Sequence, residues 1–154
     1  CAHLAAEGER LDDAVLALNE ALRLAPDSPE LLVFIGRLLL AQGRFEYAEA
    51  AYAKALMLSP DNADVQNELG VVAYRQGRER DAMKHYKRAL KQRSIFPQAH
   101  NNLGNLHARH GRSREAMKHY GFAVAQLSGY SDAWYHLARQ QLVLDERDAA
   151  RARL

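Results

Sequence analysis

An all-α fold built from paired helices is what this sequence predicts, on three observations. Ala (27) and Leu (22) make up almost a third of the 154 residues, whereas Val (7), Ile (2) and Thr (none) leave nine β-branched residues in all. Strands are enriched in the kind that is scarce here, and Ala, Leu, Arg, Glu, Lys and Gln are the strongest helix formers. Third, many residues recur at a fixed interval of 34, with apolar positions three and four apart between them. At 48% apolar and 26% charged the chain lies in the globular range, and its length suits one ordinary domain. A membrane span needs roughly 18 or more apolar residues, and Arg37 already interrupts the most apolar stretch, Leu31 to Ala41.

The interval is plainest in the pentapeptide Ala82-Met83-Lys84-His85-Tyr86, which returns as Ala116-Met117-Lys118-His119-Tyr120. Ile35-Gly36, Leu69-Gly70, Leu103-Gly104 and Leu137-Ala138 keep the same step, as do Gly43, Gly77 and Gly111. Ala14, Ala48, Ala82, Ala116 and Ala150 form another column, and Ala21, Ala55, Ala89 and Ala123 a further one. The chain therefore divides into a partial unit over 1–28, units over 29–62, 63–96 and 97–130, and a partial unit over 131–154, as one continuous domain. Each unit reads as two helices about an internal Gly that suits a tight turn.

The predicted helices cover about 10–24, 29–41, 45–58, 63–75, 79–92, 97–109, 113–127 and 131–144, with a stub from 146. Ser28 is a good N-cap with Pro29 at the first helical position, Asn62 precedes Ala63, and Ser131 precedes Asp132. Gly36, Gly70 and Gly104 are expected to let one helix backbone approach its partner, with Ala and Tyr of the second helix filling the space. Pro26 and Pro60 end their units, but Ser94 and Ser128 replace them later, so those turns are expected to be less rigidly set. Gly121, inside a second helix, should cost about 1 kcal/mol against Ala. Gly8 falls one residue early relative to Ala14, which predicts a longer turn.

These columns resemble the tetratricopeptide repeat (TPR) family, whose signature runs Trp, Leu-Gly and Tyr in a first helix, then Ala, an aromatic and Pro. Ile35-Gly36 with Leu39, Ala48, Tyr52, Ala55 and Pro60 carry it in one unit, Leu69-Gly70, Ala82, Tyr86 and Ala89 in the next, and Trp134 before Leu137 in the fourth. The resemblance covers nearly the whole chain and implies a right-handed superhelical solenoid of antiparallel helix pairs. Stacked units then bury a core that no single unit can. Both ends fall inside units, so the expectation is a piece of a longer array, or an end that meets another subunit.

Catalytic signatures are absent: there is no G-x-x-x-x-G-K, G-x-G-x-x-G, H-E-x-x-H or G-x-S-x-G, and nucleophiles reduce to Cys1 and six serines. The reading is therefore not an enzyme, without cofactor or small-molecule substrate. Cys1 is the single cysteine, which excludes an internal disulfide and Cys-based metal motifs. Five of seven histidines (His85, His100, His107, His110, His119) lie between residues 63 and 130. His100, His107 and His110 share a helix face at metal-compatible steps, but His100 and His107 occupy columns where the family places Trp and Tyr. They are read as polar substitutes at packing positions, with no metal assigned.

The formal charge of +2 hides an asymmetry: residues 1–62 carry 5 Lys/Arg against 10 Asp/Glu, residues 63–130 carry 12 against 5, and residues 131–154 balance at 4 and 4. Such a distribution can steer an acidic partner to the basic part of the chain.

In TPR proteins the first helix of each unit lines a concave groove that grips a peptide. Carried over, this implies a lining of Arg37 with Glu30, Val33 and Phe34, then Asn67, Tyr74 and Arg75 with Asp64, Glu68 and Val71. The third unit would offer Asn101, Asn102, Asn105 and Arg109 with Gln98, and the fourth Tyr135, His136 and Arg139. Arginine forks suit carboxylates, asparagines suit a peptide backbone, and tyrosines give apolar contact with a polar tip. The carboxylate clamp of chaperone-binding TPR domains is not reproduced, because its columns hold Val33, Asn67, Asn101, Glu68 and His136. The Asn ladder of the O-linked N-acetylglucosamine transferase type keeps only Asn102, among Phe34, Glu68 and His136.

The expected function is a non-enzymatic scaffold that binds a partner protein or peptide of acidic character, within a multiprotein assembly. Its Ala, Arg and Leu bias suggests a bacterial source. The alternatives are a repeat segment of a larger enzyme or secretion component that positions substrate, and a less favoured nucleic-acid or anionic-surface binder through Arg78, Arg80, Lys84, Lys87, Arg88 and Lys91. Leu142, Val143 and Leu144 predict weak self-association. The cytoplasm is the favoured compartment, with a periplasmic location, or lipid anchoring through Cys1, as alternatives.

Overall fold

The computed structural model describes residue 13 and residues 16–154, and within them the secondary structure is helical, joined by short turns. Helix α1 is seen over 16–24, followed by α2 (Pro29–Ala41), α3 (Phe45–Leu58), α4 (Ala63–Arg75), α5 (Glu79–Gln92), α6 (Pro97–Arg109), α7 (Ser113–Gln126) and α8 (Ser131–Ala152). The bounds of α2 to α6 are those the sequence predicts. Cys1, Gly8, Ala14 and the expected start of α1 near residue 10 lie outside the described residues. No described helix is long and apolar enough to cross a membrane.

Two compact units, Cys1–Ala82 and Met83–Leu154, divide the chain. In the first, α2 packs on α3 and α3 on α4. Its core joins Leu32, Ile35, Leu39 and Leu40 of α2 to Ala48, Tyr52 and Ala55 of α3 and Val65, Leu69 and Val72 of α4, with Leu18 and Leu22 of α1 against them. In the second unit α6 packs on α7 and α7 on α8. Leu103 and Leu106 of α6 and Ala116, Tyr120 and Ala123 of α7 are almost wholly enclosed.

Caps explain where these helices start and stop. Ser28 Oγ accepts from the Leu31 N–H at 3.4 Å and Asn62 Oδ1 from the Val65 N–H at 3.2 Å, each satisfying one orphan donor of a first turn. Gly43, Gly77 and Gly111 adopt φ of 75°, 79° and 71°, the left-handed region that Gly enters without penalty. Each closes a Schellman motif, with Arg44 N–H donating to Leu39 O at 2.9 Å, Arg78 to Ala73 at 2.8 Å, and Arg112 to His107 at 2.9 Å.

The fourth member of that glycine column is Asp145, and there the expected break between 144 and 146 does not occur. Asp enters positive φ far less readily than Gly, and α8 runs on through it to Ala152, 22 residues in all, with Gln141 Nε2 donating to Asp145 Oδ1 at 2.9 Å inside the run. The stub from 146 is thus the same helix.

Helix proximity follows from glycine and tyrosine together. A Cβ on Gly36 would stand 2.5 Å from Tyr52 Cε1, and one on Gly104 2.5 Å from Tyr120 Cε1. Gly121 sits within α7 with nothing within 4 Å of a Cβ, so its cost is uncompensated.

The two turns that lack proline are held by side chains instead. Gln126 accepts from the Phe96 N–H and donates to Ser94 O, both at 3.0 Å, and Trp134 Nε1 donates to Ser128 O at 2.8 Å. Hydrogen bonds replace the fixed φ of proline, so Ser in those columns does not leave the turns untethered.

Candidate functional site

Among the described residues, the first helices carry an exposed arginine in each repeat: Arg37 on α2, Arg75 on α4, Arg109 on α6 and Arg139 on α8. The buried column beside them explains the exposure. Ile35, Leu69 and Leu103 turn inward, and the arginines fall on the opposite faces of their own helices.

In the first unit Arg37 Nε donates to Glu68 Oε1 at 3.3 Å, and the Tyr52 hydroxyl donates to Glu68 Oε2 at 3.3 Å. Burial first, and then the charge of Glu68, push the Tyr52 hydroxyl above the ordinary tyrosine range, with Arg37 opposing. It therefore stays a donor. Arg75 lies 5.3 Å over the Phe45 ring, which holds a solvent-facing guanidinium against an aromatic face. Tyr74 is half-buried, and Asn67 is enclosed at 8% exposure.

In the second unit the same columns carry different chemistry. The Tyr120 hydroxyl donates to Asn105 Oδ1 at 2.7 Å, and the His136 ring stacks on Tyr120 at 5.3 Å and 20°. Tyr135, 64% exposed, meets His136 edge-on at 5.5 Å. Asn102 is half-buried. Asn101 is enclosed at 6% exposure, and among the described residues its Oδ1 finds no hydrogen-bond partner, which is uncommon for a buried acceptor. Tyr130 is pushed up by burial and then by Asp132, while a hydrogen bond with Asn101 acts against both. The asparagines thus divide: Asn67 and Asn101 are interior, Asn105 braces a tyrosine, and Asn102 is half-open.

The histidines do not gather as their sequence spacing suggests. His110 sits exposed at the end of α6, and His119 of α7 takes its place beside His100 and His107. His100 Nδ1 and His119 Nδ1 are 3.3 Å apart, His107 stacks on His119 at 5.3 Å and 6°, and Phe122 lies 5.1 Å from His100. Burial first, then His107, His100, Lys118 and Lys87, push His119 down to about 4. His107 is lowered by burial and then by Arg112, and His100 by burial, with a bond to the Ser94 backbone opposing. Among the described residues no group of three or more His, Cys, Asp or Glu side chains has a metal-holding arrangement. His100 and His107 pack as ring fillers in the columns of Trp and Tyr, with His119 of α7 against them. Sequence spacing along one helix could not show that the third ring comes from α7.

Of the basic residues set aside for nucleic acid, Arg78 is engaged by Glu49 at 2.7 Å and Asp81 at 3.4 Å. A cavity of about 550 Å³ opens in the first unit, lined mainly by Leu22, Leu32, Ile35, Leu39, Ala50 and Ala51, with Arg44 and Lys54 on its walls. Sequence reading missed it, since it lies between the α1, α2 and α3 faces and has no motif of its own.

The tetratricopeptide repeat profile matches residues 2–63, 35–100 and 67–131. No curated protein matches the chain by sequence. Among solved structures it is similar to MamA, at TM-score 0.76 and 20% identity over 95% of this chain and 85% of that one; a second MamA structure gives 0.75 and 20% over 95% and 80%. It is also similar to the first TPR of Spaghetti (RPAP3) bound to the HSP90 peptide SRMEEVD, at TM-score 0.71 and 18% identity over 76% of this chain and 93% of that one. These likenesses show the fold, an all-α repeat solenoid. With the repeat profile spanning most of its length, the chain belongs to the tetratricopeptide repeat family.

Proposed function

We propose that the chain is a non-enzymatic scaffold whose first helices hold an acidic peptide or protein segment, as one component of a larger assembly. The observation that carries this reading is the exposed arginine repeated on α2, α4, α6 and α8. A guanidinium fork matches a carboxylate, and within each unit exposed arginines, Arg75 beside the Glu68-paired Arg37 in the first and Arg109 and Arg139 in the second, suit acidic residues of a bound segment. Tyr74 and Tyr135 add amphipathic contact. The buried Asn67 and Asn101 and the engaged Asn105 contribute by holding the helix faces in place. The solved relative RPAP3 is bound to SRMEEVD, a peptide with three carboxylate side chains, which supports an acidic partner class.

The test is peptide-array binding of the 154-residue chain beside an Arg75→Glu, Arg109→Glu double variant of equal helicity. The reading predicts a set of acidic peptides that bind the parent and not the variant, weakened moderately by salt. Equal binding by both proteins, or none by either, overturns it. Leu142, 63% exposed on α8, also supports weak self-association, which sedimentation at high concentration tests: a monomer throughout would remove it.

A further inference from the structure

The unbroken α8 builds something that a turn at residue 145 would have removed. Its extension brings Leu144, Arg147, Asp148 and Arg151 over the start of α7, enclosing a cavity of about 300 Å³ with Gly111, Arg112, Ser113, Arg114 and Glu115. Four guanidiniums and two carboxylates line it, a net of +2. Among the described residues none of the four arginines forms an ion pair with Glu115 or Asp148. Arg147 is held in place from one side only, its Nη1 donating to Gly111 O at 3.1 Å.

The floor of α7 adds donors. Arg112, at its N-cap, makes no side-chain capping bond, so the first-turn N–H groups of Ser113, Arg114 and Glu115 have no intrahelical acceptor. Ser113 lines the cavity, is 3% exposed, and its hydroxyl has no hydrogen-bond partner among the described residues. The comparable cavity at the start of α3, about 250 Å³, has one arginine, Arg44, against Glu46, with the neutral Gln76 beside them. Of these two cavities the charge excess belongs to that of α7 and α8, because there the run-on helix supplies Arg147 and Arg151.

We propose that this cavity binds a phosphate monoester dianion, cradled by Arg112, Arg114, Arg147 and Arg151 and by the Ser113 hydroxyl. A net of +2 matches the dianion. Planar guanidinium forks and free helix N-terminal N–H groups suit tetrahedral phosphate oxygens, and the volume leaves room for the group that carries the ester. The site uses none of the first-helix groove residues, so its failure leaves the scaffold reading untouched.

The experiment is a calorimetric titration of the 154-residue chain at low ionic strength with phenyl phosphate, a phosphoserine peptide and the same peptide unphosphorylated. The expected result is saturable one-site binding of the esters alone, weakened at least tenfold in Arg147→Gln, Arg151→Gln and unchanged in Arg88→Gln, Lys91→Gln, which removes equal charge from α5. Binding should also weaken several-fold from pH 7.5 to 5.5, because the second ionisation of a phosphate ester lies near pH 6. If the α8 variant loses helicity, Arg114→Gln carries the same expectation from α7. Tighter binding of the phosphopeptide assigns the ester to a partner protein, and equal binding to a small phosphorylated molecule; both support the site. No saturable binding, equal weakening in the two double variants, or equal binding of the unphosphorylated peptide would overturn it.

Discussion

The two units hold the same tyrosine by different means. In the first, Tyr52 is backed by an ionic pair, Arg37 and Glu68. In the second, the residues two repeats further on are Asn105 and His136, which give Tyr120 a neutral hydrogen bond and a stacked ring. Beneath both lies one backbone arrangement, a glycine against the tyrosine ring. The fold therefore demands the glycine and the tyrosine, while the polar shell above them is free to change. That freedom leaves the first unit with an ion pair and the second with a neutral hydrogen bond and a stacked ring.

The largest expected effect falls on the shared element. Gly36→Ala or Gly104→Ala places a methyl 2.5 Å from a buried tyrosine ring that has no room to retreat. Overpacking of this kind costs about 1–3 kcal/mol, read by chemical denaturation, and the two substitutions should cost similar amounts. A neutral result at either glycine would break the claim of a common constraint.

Acid should separate the units next. His119 is neutral in the folded chain and held down to about 4, whereas the unfolded chain takes up that proton near its ordinary value. The unfolded state thus binds more protons across this window, so stability is full above about pH 6.5 and falls as the pH drops toward 4. His100 and His107, also lowered, act in the same direction. A melting temperature that falls over this range in the parent, and falls less in His119→Leu, is the expected outcome. Tyr120→Phe follows, removing the 2.7 Å bond to Asn105 at a cost of about 1 kcal/mol. Tyr52→Phe should cost less, because Glu68 keeps Arg37. The smallest change runs the other way: Gly121→Ala, with open space around it and no positive φ, should stabilise by about 0.5–1 kcal/mol.

The helices from 29 to 109 are legible from sequence because each ends on a glycine that takes positive φ, follows one, or starts on a Ser, Asn or Pro signal. Closely packed glycine and tyrosine columns were equally legible at Gly36 and Gly104. What escaped was tertiary. The period carried a turn forward to residue 145, although Asp145 had replaced the glycine that makes the turn, and the arginine cavity was missed with it. That substitution was the available signal. From sequence Ser94 and Ser128 show only the missing proline, because their partners, Gln126 and Trp134, come from other helices. Column position places Asn67 and Asn101 beside the arginines and alone cannot say that these two residues are buried.

The first-helix arginines carry the proposed function most directly. The deciding measurement is calorimetric titration of an array-selected acidic peptide against the parent, Arg75→Glu and Arg109→Glu, each of parental helicity. Both single reversals should weaken binding at least tenfold, by an amount that shrinks as salt is raised. Affinity unchanged in both would contradict the account and take the arginine-bearing faces out of the function.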